Sequence, residues 1–312
     1  MHCLGDYCYI SVGMVLNADE KNHKGAFKKD DLLSEKKDRI HCREYIEAKD
    51  IGRYEIKRIH YLEYGTKRCP GQIRCSTFPE LYRGHRVLVN GFGAIQAVLD
   101  DDKRYLHNHT IYALVPWRTL RGVENNSISA SIKRYCTMAR DEMDRLSQSM
   151  DERYLLGLLN SRLGLYLLNL VRGGDFHILP EHLRAIPVAG DGTAGTMGIS
   201  GTGATATVAE ETAVPDVSAA DVQARIAALV EQVLAAKSTD RNADTASLEA
   251  EIDQLVYQLY GLTDEEIEIV EGRTPADAAI TPPAETGRRS AARTPHRGTV
   301  AEPPAFGDEV LE

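Results

Sequence analysis

At Ser127 the hydrophobic period of this chain changes, and the two periods on either side constrain its fold more than any bulk property. Upstream, apolar residues gather in short runs rich in β-branched and aromatic side chains, separated by polar connections. Residues 9–16 form one run, stopped by the charged turn at 17–21, and 55–64, 86–89 and 110–115 are further strand candidates. Pro116 closes the last of them, since proline cannot donate to a ladder. Downstream, Ile128, Ile132, Tyr135, Ala139, Met143, Leu146 and Met150 recur at three- and four-residue steps, the spacing of one helix face. A second helix, at about 152–171, carries leucine around much of its circumference and should be buried against a sheet. Gly173-Gly174 is a natural stop for it. Strands followed by helices predict an α+β fold, a curved mixed β-sheet with packed helices.

Beyond residue 188 the composition shifts. Residues 189–216 are rich in Gly, Ala and Thr and nearly free of large apolar side chains, so they predict a flexible linker. Ser218 with Asp221 then opens a helix bearing Val222, Ile226, Leu229 and Val233. Leu248, Ile252, Leu255, Val256 and Leu259 make a second stripe. The two stripes predict a helical hairpin over 217–271, with a short third helix from Thr263 and Glu266. The tail at 272–312, rich in Pro, Ala, Arg and Glu, predicts disorder.

Charge follows the same division. Residues 1–187 hold 29 Lys and Arg against 24 Asp and Glu, whereas 188–312 hold 8 against 22, so the net charge of −9 conceals a mildly basic first part. Phosphate neutralisation is open to that part and not to the acidic remainder. No run of about 20 apolar residues predicts a membrane span, and the first residues lack the order of a signal peptide. Six cysteines, none in a Cys-x-x-Cys pair, predict reduced thiols in a cytoplasmic protein.

Several segments occur in a fixed serial order. They are Tyr9-Ile-Ser-Val-Gly-Met-Val-Leu16, Tyr45-Ile-Glu-Ala-Lys-Asp-Ile-Gly-Arg-Tyr54, Leu88-Val-Asn-Gly-Phe-Gly93, His107-Asn-His-Thr-Ile-Tyr112, Tyr154-Leu-Leu-Gly-Leu-Leu-Asn-Ser161 and Arg172-Gly-Gly-Asp-Phe-His-Ile-Leu-Pro180. Taken together, over roughly residues 7–188, they resemble the TaqI-like C-terminal specificity domain of Type IIG restriction-modification enzymes and related adenine methyltransferases. The resemblance implies a target-recognition domain at 1–188 that reads double-stranded DNA. It also implies a methyltransferase, and often a nuclease, on a separate or missing polypeptide. S-adenosylmethionine and Mg²⁺ would belong to those missing domains, with no cofactor held by this chain.

Residue chemistry supplies candidate contacts. Lys49, Arg53 and Tyr54 offer a phosphate charge, a guanine-pairing fork and a stacking ring, or equally an Asp50–Arg53 turn with Tyr54 half buried. Lys67, Arg68, Gln72, Arg74 and Arg86 set basic and amide groups on and between strands, as groove contact needs and as solubility also needs. Asn90, Lys103, Arg104, Asn108 and His109 continue the set, and Arg172 and His177 flank a glycine pair that permits close backbone approach or simply ends a helix. His107 and His109 would share a strand face, but no ligand partner lies at metal spacing.

Neither an Asn-Pro-Pro-Tyr-like turn nor a glycine-rich cofactor turn after a strand occurs, so no catalytic residue is assigned. The chain is expected to be a fragment or split subunit of a recognition system. Two alternatives stand beside it. One is a divergent metal-dependent nuclease using Glu47, Lys49 and His109, with Asp38 upstream. The other is a protein-interaction module acting through the helical hairpin.

Overall fold

The apolar run at 110–115 becomes a strand buried on both faces, and it organises the molecule. In the computed structural model, which describes residues 2–101, 103–173, 175–189 and 218–272, this strand is β11 (Ile111–Pro116). It lies between β2 (Cys8–Val12) and β8 (His85–Asn90), with β9 (Ala97–Asp101) beyond β8, all antiparallel. Alternate residues point to opposite sides of a strand, so the sheet divides two cores. Tyr112, Leu114, Val87, Val89, Ile10 and Ala97 join one, and Ile111, Ala113, Val115, Leu88, Tyr9 and Val98 join the other.

The first core is closed by helices. The predicted helix at 152–171 is two: α4 (Glu152–Asn160) and α5 (Arg162–Arg172) meet at 71°. Ser161 makes the break, its hydroxyl accepting the Gly164 N–H at 3.0 Å and donating to Leu158 O at 2.7 Å. A Cβ on Gly164 would stand 2.1 Å from Leu158 O, so the corner requires glycine there. The periodic stretch at 128–150 is likewise split, into α2 (Asn126–Tyr135) and α3 (Arg140–Leu146).

Against α4 pack α7 (Ala219–Thr239) and α8 (Ala246–Tyr260), followed by α9 (Asp264–Val270). Gly157 of α4 sits so close to α7 that an added Cβ would meet Ile226 Cγ2 at 2.8 Å. The hairpin is therefore part of the body and not a separate domain. Val222, Ile226, Val230, Ile252 and Val256 belong to the same core as the sheet, and the described residues form one compact unit. Its apolar stripes found a partner larger than each other. Of the expected linker at 189–216 and tail at 272–312 all but the first residue of each lies outside the described residues, and Ala189 is buried in the first core, its N–H donating to the Tyr260 hydroxyl at 3.2 Å.

The second core lies under a smaller sheet. Its order is β10 (Leu106–His107), β5 (His41–Ile46), β6 (His60–Glu63) and β4 (Leu33–Ser34). Only the β10–β5 pair is parallel. β3 (Val15–Ala18) pairs with β7 (Ile73–Cys75), and β1 (His2–Cys3) pairs with β12 (Pro187–Val188) beside α1 (Leu4–Tyr7) and α6 (Pro180–Arg184). The fold is α+β, with two four-stranded sheets where one curved mixed sheet was expected. Among the described residues no single helix is long and apolar enough to cross a membrane.

Candidate nucleic-acid interface

A basic cleft opens at the rim of the second sheet. Arg43 and Glu44 on β5, Lys37 in the turn before it, and Lys103 and Arg104 in the turn after β9 line a hollow of about 510 Å³. A neighbouring hollow of about 160 Å³ shares Arg43 and Arg104 and adds Arg83, Tyr64 and Tyr82. The Arg43 guanidinium lies 5.2 Å from the Tyr64 ring centroid. Among the described residues neither Lys37, Arg43 nor Lys103 forms an ion pair, and Glu44 is the one carboxylate in the larger lining. Four cations thus converge from three chain segments onto one accessible opening, as an anion site requires.

What holds the 103–105 turn is a buried ion pair. Arg86 is fully buried and donates from Nε (3.0 Å) and Nη2 (2.5 Å) to Asp100 Oδ2. Asp100 in turn accepts the backbone N–H groups of Arg104 (3.1 Å) and Tyr105 (3.2 Å). Arg104 adopts a φ of 60°, a conformation that an L-residue keeps only when its surroundings hold it. Arg86, expected at a DNA surface, is therefore an internal brace for two residues that are at the surface. Its strand position gave no sign of this, because a side chain's face follows from the sheet and not from its charge.

The remaining expected contacts divide by exposure. Tyr54 is buried, its N–H donating to Ala97 O at 3.1 Å, and cannot offer its ring to DNA. Asn90 is buried too, donating from Nδ2 to Phe92 O and Ala94 O and accepting the Gln96 N–H at 2.7 Å, which shapes the 90–96 loop. Arg53 is tied down by Asn160 O and Glu249, each at 2.8 Å, and so joins α4 to α8. Lys49 pairs with Glu47 at 2.7 Å, Arg68 with buried Glu63, and Arg74 with Glu20 at 3.2 Å. Gln72 is half-buried and uses its backbone in the turn, while Lys67 is exposed. Asn108 Oδ1 accepts the Thr110 hydroxyl at 2.8 Å within its own turn.

His107 and His109 do not share a face. β10 ends at His107, which is fully buried, and the chain turns so that His109 is exposed. Burial holds the His107 imidazole at a pKa of about 3, hence neutral. His109 is also lowered, by partial burial and then by the nearby charges of Arg74 and Lys29, so those cations lie near it.

Two motif segments distant in sequence come together. Arg172 Nη1 donates to Gly93 O at 2.6 Å, the Gly93 N–H to Phe176 O at 3.0 Å and the Ile178 N–H to Gly91 O at 3.0 Å. Phe92 and Phe176 stack above this seam, ring centroids 6.2 Å apart, with His177 exposed beside them.

No protein-family model matches the chain, and no curated protein does. The site must therefore be read from its own geometry. Glu47, Asp50 and His60 form a buried group with ligand atoms within 4.8 Å of one another. The nuclease constellation of Glu47 with Asp38 and His109 is replaced there by different residues, Asp38 being bound to His41 in an exposed turn. Both Glu47 oxygens are already held, by Lys29 and Lys49, and Asp50 accepts from the Glu47 N–H at 3.0 Å and faces His60 Nε2 at 3.2 Å. Two ammonium groups occupy the positions from which this carboxylate would bind a cation, so the cluster is an ion-pair network by its geometry.

Proposed function

We propose that this chain is the DNA target-recognition module of a Type IIG-like restriction-modification system, and that it engages duplex DNA through the cleft of Lys37, Arg43, Lys103 and Arg104. The observation carrying this reading is the convergence of those cations on one opening, with Glu44 the one carboxylate of its lining among the described residues. The serial motifs that resemble TaqI-like specificity domains support it. Arg43 and Arg104 have planar forks suited to phosphate or to guanine O6/N7, and Lys37 and Lys103 serve as point charges on the backbone. Methyl transfer to adenine, with its S-adenosylmethionine, and any Mg²⁺-dependent cleavage are assigned to a partner polypeptide in the same reading.

Neutralising about four phosphates gives a salt dependence that lowers affinity roughly 10²-fold between 50 and 200 mM salt. Fluorescence anisotropy with a mixed-sequence duplex measures it. Arg43→Glu with Lys103→Glu is expected to abolish binding at 50 mM salt while leaving the circular dichroism spectrum unchanged. Absence of duplex binding by the wild-type chain at low salt, or binding untouched by the double charge reversal, overturns the assignment.

A further inference from the structure

The smaller of the two hollows beside β5 differs in kind from the larger. Its volume is about 160 Å³, and Tyr64, Tyr82 and Leu106 are among its walls. Tyr82 and Leu106 are buried and Tyr64 is half-buried. Tyr82 is fixed by three contacts: its hydroxyl stands 2.7 Å from Thr77 Oγ1, its ring meets His107 edge-on at 5.3 Å, and the Arg86 guanidinium lies 5.2 Å from its centroid. The Arg43 guanidinium lies over the Tyr64 ring, so that a planar cation is backed by an aromatic face. These walls are held by contacts within the fold, which lowers the ordering cost of filling the hollow.

Its charge has one sign. Arg43, Arg83 and Arg104 line it, and among the described residues no carboxylate does. Arg83 is exposed, with Glu80 3.7 Å away as its ion-pair partner. Arg43 and Arg104 also line the larger opening, so one ligand can touch both hollows across these two guanidiniums. Inorganic phosphate would use the arginines and leave the aromatic walls idle, and an uncharged apolar ligand would do the reverse. A planar heterocycle carrying an anion uses both. Guanidinium groups donate and never accept. Guanine presents two acceptors, O6 and N7, on one edge, whereas adenine sets a donor beside its N7, so a lining whose charged groups are all donors favours guanine. The faces of a base are covered within a duplex, and only an unstacked base can lie against a guanidinium or a ring.

We propose that the smaller hollow binds one unstacked guanine nucleotide, with its base against the Arg43 guanidinium that Tyr64 backs and its phosphate toward the larger basic opening. Arg83 and Arg104 supply the forks for the guanine edge or the phosphate. The proposal deepens the DNA reading and rests on it for the phosphate position. A phosphotyrosine side chain carries a ring and an anion as well, but its ring edge has no acceptor for those forks. The nucleotide can come from the single-stranded end of a DNA strand or from free guanosine monophosphate, which share this chemistry.

The test uses the full chain and three labelled DNA probes: a blunt duplex, and the same duplex with a three-nucleotide single-stranded overhang of guanines or of adenines. Anisotropy is expected to show the guanine overhang bound about 10-fold tighter than either other probe, as one stacked and hydrogen-bonded base provides. Guanosine monophosphate should displace it, and inorganic phosphate or phosphotyrosine at the same concentration should not. Displacement at concentrations near those at which the overhang itself binds identifies the free nucleotide as the occupant; displacement only at far higher ones identifies the strand. Tyr64→Leu keeps an apolar side chain there and removes the flat ring, and it should bring the guanine overhang down to the affinity of the blunt duplex. Arg83→Gln alters an exposed side chain and should reduce the same preference, which keeps the test open if Tyr64→Leu lowers the melting temperature. Blunt duplex bound as tightly as the guanine overhang overturns this proposal and leaves the DNA reading standing. A guanine preference that survives both variants overturns it too, as does displacement by phosphotyrosine equal to that by guanosine monophosphate. No binding of any probe overturns both readings.

Discussion

Asn160 and Ala97 exchange two hydrogen bonds: the Asn160 amide oxygen accepts the Ala97 N–H at 3.0 Å, and its nitrogen donates to Ala97 O at 2.9 Å. A single side chain at the end of α4 thus satisfies the edge strand β9 as a neighbouring strand would, and it does so inside the core. Removing it takes away the acceptor of the buried Ala97 N–H, while Ala97 O keeps the Tyr54 N–H. Asn160→Ala is expected to lower stability by about 1–3 kcal/mol, read as a shift in the urea midpoint at constant slope. Asn160→Asp keeps the acceptor and loses the donor, and should lose stability as well.

Arg86 offers a second test. Because its partner Asp100 is equally buried, Arg86→Met leaves an uncompensated carboxylate and should cost about 3–5 kcal/mol. Replacing both, as Arg86→Met with Asp100→Leu, is expected to recover much of that loss. The double variant nevertheless frees the 103–105 turn, so its duplex affinity should stay low after its stability returns. Restored stability together with wild-type DNA affinity would show that the pair does not position Lys103 and Arg104.

A pH dependence follows from His107. Burial lowers its pKa from the usual 6.5 to about 3, so an unfolded chain binds a proton near pH 6.5 that the folded chain refuses. Stability from this group is therefore full above about pH 7 and falls as pH drops, by about 1.4 kcal/mol per unit, until pH approaches 3. His107→Phe keeps the edge-on ring packing with Tyr82, whose centroid is 5.3 Å away, and removes the titration. Urea melts between pH 7 and pH 4.5 should show a shallower decline for the variant, and parallel declines would exclude His107 as the source.

The charge division suggested that residues 1–188 stand alone, and the packing indicates otherwise. Ending the chain at 188 would strip Ile226, Val230, Val233, Ile252 and Val256 from the first core, at roughly 1.5–3 kcal/mol for each fully buried side chain. That total, roughly 7.5–15 kcal/mol, is as large as the whole stability of an ordinary domain, about 5–15 kcal/mol, before the newly exposed face of α4 is counted. The 1–188 fragment is expected to lack a cooperative thermal transition. A sharp melt near that of the full chain would show that the hairpin is dispensable.

The residues themselves determined the local elements and their class. The short apolar run at 110–115 closed by Pro116, the leucine-rich 152–171 and the stripes at 222–233 and 248–259 state strand or helix directly, because length, breakers and side-chain period follow backbone geometry. The serine and threonine caps at 218 and 263 are equally local, and both form. Only the tertiary structure decided where helices break and what each charge faces. The corner at Ser161 places Asn160 against Ala97, which lies 63 positions away in the chain. Of Arg86 and Arg104, similar in sequence setting, one is sealed inside and one lines the cleft, because burial depends on which elements cover a strand face. Lys37, Arg43 and Arg83 gave no distinctive local pattern at all. They became a site when β5, the turn before it and the turns at 83 and 103 met around one opening, and such convergence is a property of long-range packing, which no spacing along the chain encodes.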